Sequence, residues 1–231
     1  MEHFLIFNGR SSAEFGVWIS GGGTFNAPTR DADVEVVPGR NGALIFDNGR
    51  YNNITVTYPA FISREFKPRV DAFRAYMASQ FGYARLEDTY HPEEFRLASF
   101  RNGLEVETAT LNRGGTFSLE FDCKPQRFLK SGENYTAYSS GAKIVNPTEF
   151  DALPIIRASG NGSITLNGKT VTISGNSDII FIDCDTQNAY NGSTNKNAYI
   201  TPVFPTLSPG QNTLTYSGVT GVQIMPRWWT L

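Results

Sequence analysis

The chain has 231 residues, a net charge of −2 from 20 Lys+Arg against 22 Asp+Glu, 13% aromatic side chains and only 18% charged ones. That length serves one large β domain or two small ones, and the near-neutral charge removes any electrostatic case for specific nucleic-acid binding or broad attraction to an anionic membrane. No apolar run is long enough to span a bilayer, and the acidic residue at position 2 of "MEHFLIFNGR" does not suit a signal peptide.

In chain order, Phe4 to Phe7 reads as a strand closed by an Asn8-Gly9 turn, and Phe15 to Ile19 as a second short strand before Gly21-Gly22-Gly23. "VVPGRNGALIFDNGRYNN" (36–53) then mixes glycines and arginines around a small apolar patch. A phosphate-gripping loop needs a helix after its glycines. Here the chain runs on through Tyr51, Ile54, Val56 and Tyr58, which alternate with polar residues, so Gly39, Gly42 and Gly49 read as turn glycines. Asn52 to Tyr58 predicts a strand ending at Pro59. One helix follows: Pro68 marks its start, Val70, Phe73, Met77 and Phe81 form one stripe, Gly82 ends it, and Arg69, Arg74 and Gln80 stay outside. The helix is expected to lie on a sheet.

"FRLASFRNGLEVET" predicts a hairpin about Asn102-Gly103. "GGTFSLEFDC" places Phe117, Leu119, Phe121 and Cys123 on one face and Ser118, Glu120 and Asp122 on the other. Near residue 130 the composition shifts: "LKSGENYTAYSSGAK" is polar and aperiodic, as expected of a domain boundary. Beyond it helix signals vanish. "GSITLNGKTVTIS" predicts a hairpin about Asn167-Gly168 with Ile164, Leu166, Val171 and Ile173 on one face, "DIIFIDCD" a strand, Thr213 to Tyr216 another, and "VQIMPRWW" a last one. The second part reads as a small all-β sandwich.

Residues that could carry chemistry do not converge. "GSITLNGKT" lacks the first glycine and the following helix of a P-loop. Asp183 and Asp185 stand two apart on a strand, fit for a metal or an acid/base pair, or simply facing water while Ile182 and Cys184 point inward. His3 and His91 lie in unrelated contexts, and Cys123 and Cys184 sit in alternating apolar runs as buried free thiols, which suits folding in a cytosol. Trp228, Trp229, Tyr190 and Tyr199 suit a sugar platform or ordinary packing. The four Asn-x-Ser/Thr sequons, at Asn53, Asn134, Asn161 and Asn191, read as products of an Asn-rich β sequence. No catalytic set, cofactor site or metal site emerges, so a binding or structural role is expected and not an enzyme.

As a whole the sequence resembles the distal tail proteins of long, non-contractile-tailed bacteriophages. The resemblance rests on "FLIFNGRSSAEFGVWISG", "VPGRNGALIFDNGRYNN" with its PGRNG and D-x-G-x-Y elements, "FRLASF", and "TFSLEFDCKPQRFL" with its C-K-P ending. In the second half it rests on "KIVNPTEFDALPIIRASGNGSITLNG", "FPTLSPGQNTLTY" and the terminal "PRWW". "NPTEFDALP" departs from the family, which carries an extra glycine after the asparagine. The resemblance implies a mainly β fold: an N-terminal β-sandwich belt domain with one α-helix and a hairpin over 1–130, and a galectin-like β-sandwich over 131–231. It also implies a hexameric ring at the tail tip, made in the host bacterial cytoplasm. That ring would join the tail tube protein to the tail-associated baseplate protein and dock receptor-binding proteins. Rings are built from heterologous interfaces in which Arg is favoured, so Pro38, Gly39, Arg40, Asn41, Gly42 and Tyr51 are the expected oligomer interface, with Arg40 reaching a neighbour. The alternatives are a glycan-binding tail protein acting through the second sandwich and a tail-associated hydrolase.

Overall fold

The computed structural model describes residues 2–23, 25–108 and 113–231. By internal contacts the chain divides into two compact units, Met1–Arg127 with Leu231, and Phe128–Thr230.

The first unit is built on one antiparallel sheet. Its strands are β1 (Leu5–Phe7), β2 (Arg10–Ser11), β3 (Trp18–Ile19), β6 (Ile54–Ile62), β7 (Ala84–Asp88), β8 (Glu94–Ser99), β9 (Val106–Thr108) and β10 (Gly115–Leu129), in the order β2-β1-β7-β8-β10-β6-β3 with β9 on β10. Between β3 and β6 the chain makes a separate two-stranded ribbon of β4 (Arg30–Val36) and β5 (Ala43–Tyr51). A bridge between His3 and Ile19 brings the β3 edge back beside the start of β1, so the sheet rolls over a core. β6 and β10 alternate strictly: Ile54, Val56, Tyr58, Ala60 and Ile62 meet Cys123, Phe121, Leu119, Phe117 and Gly115 in register, all turned inward. Burying Phe117 and Phe121 contributes on the order of 2–3 kcal/mol each.

The helix α1 (Phe66–Ser79) closes this core with Phe66, Val70, Phe73 and Met77. Phe73 sits between Phe15, ring centroids 5.5 Å apart, and Phe117, 6.1 Å apart. The structure departs from the sequence expectations at several points. The helix begins two residues before Pro68 and stops at Ser79, because Gln80 is already extended (φ −83, ψ 134). Phe81 therefore falls outside the helix and is fully exposed, and the left-handed Gly82 lies past the cap. Residues 12–15 form a 3-10 turn capped by Ser11 and Glu14, so the strand begins only at Trp18. β6 runs through Pro59: the Ser20 N–H donates to the Pro59 carbonyl at 2.8 Å, so the proline nitrogen faces the β3 side just past the end of that strand, where no ladder bond is lost. Asn102-Gly103 forms no hairpin turn. Neither residue has positive φ, Asn102 donates to Glu120 at 2.8 Å, and β8 and β9 each lie beside β10.

The second unit contains β11 (Thr136–Ala137), β12 (Lys143–Asn146), β13 (Ile155–Leu166), β14 (Lys169–Ile173), β15 (Ile179–Asp183), β16 (Asn188–Asn191), β17 (Thr194–Asn195), β18 (Gly210–Met225) and β19 (Trp229–Thr230). The long strands β13 and β18 pair along most of their length with register shifts between Arg157 and Ser159 and between Gly160 and Ser163. Past the bend they change neighbours. One half-sheet is β11-β18-β13-β15-β16-β17, and the other adds β14 to β13 and β12 to β18. Ile156, Ala158, Ile164, Leu166, Val171, Ile173, Ile182, Leu214 and Ile224 fill the space between. The bend needs glycine: Gly218 has φ +78, and a Cβ there would stand 2.6 Å from the Asn161 carbonyl oxygen. Asn167 (φ 50) and Gly168 (φ 80) make the expected type I′ hairpin between β13 and β14. The terminal segment is not one strand. β18 ends at Met225, Pro226 interrupts, Arg227 turns left-handed (φ 58), and Leu129 then donates to the Trp228 carbonyl at 2.8 Å.

Candidate assembly surface

β4 and β5 pair only with each other among the described residues, leaving the outer backbone edge of each strand unpaired. The register sets two different faces. Val34 lies opposite Ile45 and Val36 opposite Ala43, so one face is apolar; Asp33 lies opposite Phe46 and Glu35 opposite Leu44, so the other carries a row of acids. Neither face is covered: Val34 is 64% exposed, Val36 74%, Ile45 72% and Phe46 54%. A lone two-stranded hairpin is marginal in water, and this one exposes the side chains that would have to stabilise it.

What stiffens the ribbon within the chain is a charge ladder at its base. Arg30 donates from Nε to Asp47 at 2.8 Å and from Nη1 to the Tyr51 hydroxyl at 2.9 Å, and its guanidinium lies 5.2 Å from the Tyr51 ring centroid. Arg50 pairs with Asp31, and Asn48 donates to Asp31 at 3.3 Å and Asp33 at 3.4 Å. The Arg30 hydrogen bond holds the Asp47 carboxyl below its ordinary range, and the Arg50 hydrogen bond does the same for Asp31. The register slips between Asp31 and Ala32, leaving Asn48 and Gly49 as a bulge on β5. Gly49 (φ 70) thus serves a bulge inside a strand and not a hairpin end.

The predicted interface residues separate into two places. Pro38, Gly39, Arg40, Asn41 and Gly42 form the exposed tip, where the Arg40 N–H donates to the Val37 carbonyl at 3.2 Å and Gly39 and Gly42 take left-handed φ. The Arg40 side chain has no hydrogen bond or ion pair among the described residues. Tyr51 lies at the other end of β5, about 30 Å away at ~3.4 Å per residue, with Arg30 and Asp47. The sequence reading missed Arg30, Asp31, Asp47 and Arg50 of the ladder and the face of Val34, Val36 and Ile45. Its signal was the acid/apolar alternation of "RDADVEV".

The residues considered for chemistry do not converge on one site. Asp183 does not face water: it is buried, and Arg227 grips both its oxygens at 2.8 Å. Asp185 is exposed and stands 3.9 Å from the same guanidinium. Cys123 and Cys184 are buried and free, and burial pushes both thiols up to about 12. His3 bonds Thr89 at 3.0 Å and stacks on Tyr90, while His91 bonds Asp88 at 3.1 Å, so both histidines sit about one loop. No group of three or more His, Cys, Asp or Glu is placed to hold a metal among the described residues. The four aromatics do not make one platform: Trp228 is buried, Trp229 stacks on Phe150, Tyr190 stacks on Phe181, and Tyr199 packs on the core. No helix among the described residues is long and apolar enough to cross a membrane.

No protein-family model and no curated protein matches the chain. Solved structures do. A chain of the phage P2 baseplate in its activated conformation with Ca matches with a TM-score of 0.51 at 9% identity over 97% of both chains. The SPP1 Dit (gp 19.1) protein, described as a paradigm of the hub adsorption apparatus in Gram-positive infecting phages, matches with a TM-score of 0.79 at 11% identity over 100% of both chains. The protein thus has, from end to end, the mainly β fold of a phage adsorption-hub protein.

Proposed function

We propose that the protein is a structural component of a phage tail tip that assembles with its own copies through the β4–β5 ribbon. The observation that carries this reading is the ribbon itself: two unpaired backbone edges, an uncovered apolar face, and an opposite face where Asp33 and Glu35 stand across from Phe46 and Leu44. Fold likeness to hub and baseplate proteins supports the setting, although fold alone does not give function. The outer edge of β5 in one copy can pair with the outer edge of β4 in the next. That contact joins two different surfaces, and repeated by rotation it closes into a ring. Six copies follow from the family resemblance. The apolar face of the ribbons turns toward the protein bodies and the Asp33/Glu35 face toward the lumen, where acidic walls let DNA slide because phosphate contacts would make it stick. Arg40, unpaired at the tip, reaches an acceptor on a neighbour.

In this reading the first unit, over roughly 1–130, forms the ring between the tail tube protein and a tail-associated baseplate protein. The second, 131–231, is a galectin-like sandwich that docks receptor-binding proteins. Native mass spectrometry of the wild type against Ile45→Lys and Arg40→Glu tests it. Wild type is expected as a ring, Ile45→Lys as monomer with an unchanged melting temperature, and Arg40→Glu as a reduced ring population. A ring population unchanged by Ile45→Lys would overturn the ribbon's role, and one unchanged by Arg40→Glu would remove Arg40 from the seam.

A further inference from the structure

The half-sheet β11-β18-β13-β15-β16-β17 belongs to the second unit, whereas the β4–β5 ribbon belongs to the first. One lateral row crosses the half-sheet. Gln223 lies opposite Arg157, Arg157 opposite Phe181, Phe181 opposite Tyr190, and Tyr190 opposite Asn195. Their sequence neighbours Ile156, Ile182, Ala189 and Ile224 point into the core, so the row faces outward. Four strand spacings of ~4.8 Å give it a span of about 19 Å.

Its chemistry is specific. Phe181 and Tyr190 stack with centroids 5.7 Å apart and planes 15° apart, and half-exposed Tyr135 meets Phe181 edge-on at 6.0 Å. Arg157 donates from Nη1 to Gln223 at 3.3 Å, and no carboxylate pairs with it among the described residues. A partly covered guanidinium beside stacked rings is thus left with free donors and an unbalanced charge. The nearby cation Arg227 is, by contrast, already neutralised by Asp183. Protein-docking patches have an apolar centre, yet at this row the large exposed apolar side chain, among the described residues, is Tyr135 alone. Aromatic rings flanked by amide and guanidinium donors on an open sheet instead suit a ligand with apolar C–H faces, hydroxyls and one or more carboxylates or phosphates.

We propose that this row is a binding platform for an acidic saccharide. Tyr190 and Phe181 pack against the sugar ring, Arg157 takes the anionic substituent, and Gln223 and Asn195 bond hydroxyls along the chain. The test uses the full-length protein on a printed panel of oligosaccharides bearing uronate, sialate or glycerol phosphate, each beside its neutral counterpart. Hits are then titrated by calorimetry with wild type, Arg157→Gln, Tyr190→Ala and Tyr190→Phe. Binding of an acidic member is expected, about tenfold weaker for its neutral form, for Arg157→Gln and for Tyr190→Ala, and retained by Tyr190→Phe, with melting temperatures unchanged for Arg157→Gln and Tyr190→Phe. The absence of any acidic hit, equal binding of neutral forms, affinity untouched by Arg157→Gln, or displacement by millimolar inorganic phosphate alone would overturn it. So would a blank panel together with loss of binding to other tail components in Arg157→Gln, which would make the row a protein-docking surface.

Discussion

A carboxylate at position 183 would be a surface group if β15 kept its alternation, but the strand ends there and the chain turns. Ile182, Asp183 and Cys184 are consecutively buried as a result. Burial pushes the Asp183 carboxyl up, yet the two bonds from Arg227 and the N–H groups of Asp185 and Thr186 outweigh it and hold the carboxyl below its ordinary range. Its contribution is therefore present above the unfolded value of about 4 and is lost as pH falls through the lower folded value. Arg227→Gln leaves that charge buried without its partner and should cost about 3 kcal/mol in urea unfolding at pH 7, with a shallower loss of stability in acid than wild type. A cost below about 0.5 kcal/mol would show that the pair is not a clamp. The cysteines give a second check at this scale. With thiols at about 12, thiolate is about one part in ten thousand at pH 8, so Ellman's reagent should label neither Cys123 nor Cys184 in the folded protein and both in guanidinium. Rapid labelling of the native protein would contradict this packing.

At the scale of elements, periodicity was legible in the middle of several stretches that bury one face, and less so at their ends. β10 and the β13–β14 hairpin were readable in their inward faces, because burying Phe117, Leu119 and Phe121, or Ile164, Leu166 and Val171, leaves an alternating imprint, while the reach of β10 to Leu129 and the start of β13 at Ile155 were not. The helix stripe was readable from Val70 to Met77 and failed at Phe81, since a spacing of four continues on paper past a backbone that has already turned extended at Gln80. The two phenylalanines separate these cases: Phe73→Ala should cost about 3–5 kcal/mol, and Phe81→Ser should change unfolding by less than about 0.5 kcal/mol. The β4–β5 ribbon was half legible. Its tip carries turn chemistry, but both its faces are exposed in a single chain, so no burial pattern set by this chain's own core marks them. Gly218→Ala should also destabilise the second unit, because a Cβ there meets the Asn161 carbonyl in a left-handed backbone. An unchanged melting temperature would mean that the bend relaxes.

At the scale of the molecule, the sequence showed no catalytic set and left only a class of role, and the expectation of assembly came from the resemblance to tail proteins. Periodicity could not supply it, since a seam between copies is written in surface residues whose partners lie on another chain. The fold from end to end matches a phage hub protein at 11% identity, so the likeness lies in the backbone and little of it in the side chains. A ring and a lumen follow from the proposed ribbon contact. Negative-stain electron microscopy of the purified wild-type protein beside Ile45→Lys bears on them most directly. Annular particles with a central hole, absent from the Ile45→Lys sample, are the expected result; compact single-copy particles at every concentration, or rings that survive Ile45→Lys, would contradict assembly through the ribbon.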